Sequence, residues 1–65
     1  MKVDEMRGED LLALKRRYMH EENGRKGRDT SWLELESAES LVTDEEVRKR
    51  YAGTDFRDGD LDEYR

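Results

Sequence analysis

The stretch Val42-Thr43-Asp44-Glu45-Glu46-Val47-Arg48-Lys49-Arg50-Tyr51 decides the fold class. Thr43 and Glu46 stand three apart, the spacing of a capping box, in which the hydroxyl accepts an orphan N–H of the first helical turn. Val42 and Val47 occupy the two positions of a hydrophobic staple across that cap. Asp44–Arg48, Glu45–Lys49 and Glu46–Arg50 are i,i+4 pairs with the acid first, each contributing about 0.2–0.5 kcal/mol to a helix. Acids lead and bases trail, as the helix dipole prefers. Val47 and Tyr51, one turn apart, form the inward face. The reading is a helix over about 44–52, ended by Gly53.

Upstream, Glu9 to Asn23 has helical periodicity. At 100° per residue, Leu11, Leu12, Leu14, Tyr18 and Met19 fall in one arc and Arg16, Arg17 and His20 lie opposite. Glu9 and Asp10 suit the first turn, and Asn23-Gly24 reads as the stop, since both residues tolerate the left-handed conformation. Lys15 falls inside the apolar arc, its stem packing and its ammonium reaching water. Between these helices, Ser31 with Glu34 forms a second capping box, and Trp32, Leu35, Ala38 and Val42 share a face. That predicts a helix over about 31–41, with Glu39 intruding on its face and Leu33 and Leu41 outside it. A strand through 32–36 is the rival. The chain has no Pro, so its glycines mark the boundaries.

The expected fold is therefore all-α, a small bundle of two to three short helices (about 9–23, 31–41 and 44–52) with an acidic C-terminal tail. Residues 1–53 are expected to form a single small domain. Residues 54–65 alternate acids with Phe56, Leu61 and Tyr64 and read as a docked strap, a short extra helix or a flexible recognition tail.

Composition narrows the function classes. The 65 residues carry a net charge of −5, and 48% are charged. Leu, Val and Phe are few and Ile is absent, so the core is thin for a chain this short. Without Cys there is no disulfide, and a lone His makes a structural zinc site implausible. That leaves a partner, self-association or partial disorder. No secretory or membrane-spanning stretch is present, so a cytoplasmic protein without membrane association is expected.

The charges are sorted into blocks. Residues 15–28 sum to +4, residues 29–46 to −7, residues 47–53 to +3 and residues 54–65 to −3. Placing Gly59 at position 6 of a calcium loop puts Thr54, Phe56 and Asp58 at positions 1, 3 and 5 and Arg65 at 12, which fails the pattern. Gly24-Arg25-Lys26-Gly27-Arg28 lacks the Lys-Ser/Thr pair and strand context of a phosphate loop. His20 and Ser31, Ser37 and Ser40 have no nucleophile context. No metal, no cofactor and no enzyme activity are expected.

Two readings remain. The first is a non-enzymatic protein-binding module, an adaptor, inhibitor or small subunit, that meets a basic partner surface. Its candidate contacts are the acids Glu34, Glu36, Glu39, Asp58, Asp60 and Asp62 with the aromatic anchors Trp32, Phe56 and Tyr64. If that basic surface normally binds nucleic acid, the protein is a mimic, as some small phage inhibitors are; this is analogy of type alone. The second is a nucleic-acid-contacting accessory protein using a basic patch of Arg16, Arg17, Arg25, Lys26 and Arg28. A self-associating helical oligomer is a third option.

Overall fold

The computed structural model describes residues 1–27, 35–57 and 59–65. The fold is a small all-α bundle. A 3-10 turn at Val3–Glu5 is followed by the long helix α1, Glu9–Arg25. Leu35 and Glu36 are helical, Ser37 is a turn, and α2 covers Ala38–Leu41. Helix α3 spans Asp44–Arg50, and a second 3-10 turn, Asp62–Tyr64, follows. Among the described residues the only extended pairing is a single antiparallel bridge between Lys2 and Asp55.

Helix α1 is the spine. Its 17 residues give about 25 Å of rise at about 1.5 Å each, close to the 29 Å long axis of the molecule. Leu11, Ala13 and Leu14 turn inward, with Tyr18 and Met19 partly buried against the core. Helices α2 and α3 and the C-terminal 3-10 turn all pack on α1. The helix runs two residues beyond the stop expected at Asn23-Gly24. The Lys26 N–H donates to the Glu22 carbonyl at 3.2 Å and the Gly27 N–H to the Gly24 carbonyl at 3.1 Å. The left-handed residue is Gly27, at φ 75°. A lone Gly inside a helix costs about 1 kcal/mol relative to Ala, which the surrounding hydrogen bonds and packing outweigh at Gly24.

Helix α3 forms as its caps dictate. The Glu46 N–H donates to Thr43 Oγ1 at 3.2 Å, and Val42 and Val47, the staple pair, are both buried. The helical face read for the second helix is also present where it is described: Leu35, Ala38 and Val42 are buried and Leu41 is exposed. Glu39, placed on that face by periodicity, points outward. The capping box at Ser31 and Glu34, and the choice between helix and strand over 31–34, lie outside the described residues.

The core gathers both ends of the chain. Val3 and Met6 from the N-terminal turn and Phe56, Leu61 and Tyr64 from the last residues pack with Leu14, Ala38, Val42, Val47 and Tyr51. The Phe56 ring meets Tyr51 edge-on, 5.6 Å between centroids at 70°. The Phe56 N–H donates to the Met1 carbonyl at 2.8 Å, which fixes the last segment beside the first.

Candidate functional site

Much of the basic charge is held inside the fold. Arg17 Nε donates to Glu21 Oε1 at 2.9 Å, and its guanidinium lies 5.5 Å from the Phe56 ring centre. Tyr51 donates its hydroxyl to the same Glu21 oxygen at 3.1 Å, while Arg50 Nη2 is 3.3 Å from Glu21 Oε2. Arg50 also pairs with Glu22 and lies over the ring of Tyr18 at 5.0 Å. Burial works against the charged form of Glu21, but the hydrogen bonds from Arg17 and Tyr51 and the Arg17 charge outweigh it, so its pKa is lowered. Burial, reinforced by the neighbouring Glu21 charge, pushes the Tyr51 hydroxyl up to about 12.

This corrects the Glu46–Arg50 pairing expected within α3, while Asp44, on which the Arg48 charge still acts, gains a second cation. Arg50 reaches across to Glu21 and Glu22 of α1, and Asp44 takes Lys15, Nζ to Oδ1 at 2.6 Å. The Lys15 residue is 8% exposed, so its ammonium ends on a carboxylate rather than in water. The Lys15 hydrogen bond holds the Asp44 pKa below the usual carboxylate value.

The basic patch of the nucleic-acid reading is thereby divided. Arg16 Nη1 donates to the Tyr64 carbonyl at 2.8 Å, and Arg16 is only partly exposed. Arg17 is engaged with Glu21 and Phe56 as above. Arg25 is exposed and pairs with Glu22 at 3.4 Å, and Lys26 is exposed beyond the helix end. Arg28 lies outside the described residues. Arg16 and Arg17 therefore do not join Arg25 and Lys26 in one open surface.

The partner-binding residues fare unevenly. Glu36 and Glu39 are exposed. Phe56 and Tyr64, expected as outward anchors, sit in the core at 5% and 8% exposure. The thin core needs these rings, and no local pattern in an acidic tail reveals that need. Asp60 accepts the Arg57 N–H at 2.9 Å and closes its own turn. Asp62 lies 3.5 Å from Arg65, which also pairs with Asp10 at 2.7 Å. Trp32, Glu34 and Asp58 lie outside the described residues.

Several acids of the 35–46 segment remain exposed. Glu36, Glu39, Glu45 and Glu46 are all exposed, and Leu41, at 61% exposure, stands within that run. Glu45 and Glu46 escaped the sequence reading because their i,i+4 spacing assigned them to Lys49 and Arg50. Gly8, Leu11, Leu12, Lys15, Glu39 and Asp44 line an open cleft of about 360 Å³. Among the described residues no group of three or more acidic or imidazole side chains is placed to hold a metal ion, and no helix is long and apolar enough to cross a membrane. No family model matches the chain, and no curated protein or solved structure is significantly similar to it.

Proposed function

We propose that the protein is a non-enzymatic binding module that engages a basic surface on a partner protein. The observation that carries this reading is the run of exposed acids Glu36, Glu39, Glu45 and Glu46, with the exposed Leu41 between them in sequence. Lys15, Arg17 and Arg50 are held by Asp44, Glu21 and Glu22 rather than by these four carboxylates. Exposed acids steer a basic partner and suppress anionic ones, while an exposed apolar side chain supplies the desolvated contact that charges at a rim do not.

Affinity capture with the whole chain tests the reading. The expected result is a protein partner that survives nuclease treatment, releases steeply as salt rises, and is lost on Leu41→Asp without a fall in the melting temperature. Capture that is abolished by nuclease points instead to a nucleic acid. Capture indifferent to salt removes the electrostatic basis of the reading.

A further inference from the structure

We propose that copies of this chain associate head to tail, the basic end where α1 and α3 finish together docking against the acidic 36–46 run of a second copy. This gives a role to cations that the partner reading above leaves unused. The two helices are aligned in parallel. Lys15 pairs with Asp44 and Glu21 pairs with Arg50, each across 29 residues of sequence. A constant offset means that α1 and α3 run in the same direction, so their dipoles add. Each helix opens on acids, Glu9 and Asp10 in α1 and Asp44, Glu45 and Glu46 in α3. Each closes on bases, Arg25 in α1 and Arg48, Lys49 and Arg50 in α3. Parallel packing therefore gathers acids toward one end of the molecule and bases at the other.

Specific contacts join the two helices at the basic end. Arg25 and Arg50 meet on the same oxygen, Glu22 Oε1, with Arg25 Nη1 at 3.4 Å. With Arg17, three guanidiniums share two carboxylates, Glu21 and Glu22, so one positive charge is in excess among these described residues. The Arg25 side chain is 71% exposed, and Lys26 and Lys49 are exposed as well. At the other end, Glu36 lines a cleft with Glu9, and Glu39 lines one with Gly8 and Asp44. These acids therefore stand beside the starts of both helices. Along α1 the two ends lie about 24 Å apart, at about 1.5 Å per residue, against a Debye length of about 8 Å at physiological salt. One molecule cannot neutralise its own ends, whereas a second copy set end to end brings them together. Such a contact uses different surfaces on the two copies and continues into open chains. A long polyanion suits the basic end less well, because the net charge of −5 and the acidic far end repel it.

The whole chain, followed by sedimentation equilibrium and NMR diffusion over a concentration series at about 20 mM and about 300 mM salt, tests this. The apparent mass is expected to rise with concentration at low salt and to return to that of the monomer at high salt. Arg25→Glu/Lys26→Glu turns the basic end acidic, and Glu36→Lys/Glu39→Lys turns the acidic run basic. Each variant alone is expected to stay monomeric at low salt, and an equal mixture of the two is expected to associate again. All four positions are exposed, so unchanged circular dichroism spectra establish that the variants are folded. A wild-type chain that stays monomeric at low salt, association indifferent to salt, or a mixture that stays monomeric while the wild type associates overturns the proposal. Binding of a short DNA duplex that is lost in Arg25→Glu/Lys26→Glu, without self-association, also overturns it and assigns the basic end to nucleic acid. Arg25→Glu/Lys26→Glu keeps every acid of the partner reading, so partner capture by this variant tests that reading separately.

Discussion

At the scale of single residues, Glu21 is the junction between α1 and α3, since it accepts from Arg17 and Tyr51 and pairs with Arg50. Glu21→Gln keeps the shape and removes the charge. With the side chain 33% exposed, water screens part of the loss, and a destabilisation of about 1–2 kcal/mol is expected in urea unfolding. The lowered pKa of Glu21 fixes the direction of its acid response. The contribution is fully present above the ordinary glutamate pKa and is lost as pH falls through and below it. Tyr51 acts at the other end of the scale. Its hydroxyl is raised to about 12, so the neutral phenol favours the folded state up to the ordinary tyrosine value, and that advantage is lost as pH rises from there through 12. A phenolate absorbance titration should show a late component that is reduced in Tyr51→Phe, the rest belonging to Tyr64, which burial also raises.

At the scale of elements, two glycines three residues apart have opposite expected effects. Gly24 lies inside α1 with open space where a Cβ would stand, so Gly24→Ala is expected to stabilise by about 0.5–1 kcal/mol. Gly27, at φ 75°, ends the helix in the left-handed region, so Gly27→Ala is expected to destabilise by about 1–2 kcal/mol. Paired thermal melts check both signs. Thr43→Ala, which removes the acceptor for the Glu46 N–H, should cost about 1 kcal/mol by the same measurement. Helix α3 was legible because its cap, staple and dipole signals all lie within ten consecutive residues. The end of α1 was not, because Asn-Gly and the following Gly are both valid stops and tertiary packing selects between them. The partners of Asp44 and Arg50 were hidden for a related reason: i,i+4 spacing reports neighbours on one helix and is silent about a second helix lying alongside.

At the scale of the molecule, the all-α class and the inward set Leu11, Leu14, Ala38, Val42, Val47 and Tyr51 could be read from periodicity. The rest of the core could not. Val3 and Met6 stand among alternating charges, and Phe56, Leu61 and Tyr64 stand among acids, so neither segment has a period that reveals burial. Of the candidate acids, Glu36 and Glu39 could be picked out from sequence because they have no nearby base, and both are exposed. Removing residues 55–65 deletes three buried side chains, each contributing about 1.5–3 kcal/mol, a total comparable to the whole stability of a small domain. The shortened chain is expected to lose its cooperative thermal transition, as followed by circular dichroism. The backbone bond from Phe56 to Met1 also bears on how fast this protein folds. Most contacts in a helical bundle are local, but this one joins residues 55 apart. Closing such a loop costs about 3.5 kcal/mol of chain entropy beyond a length-independent constant, before any contact made across it is returned. Folding should therefore be slower than helix content alone implies.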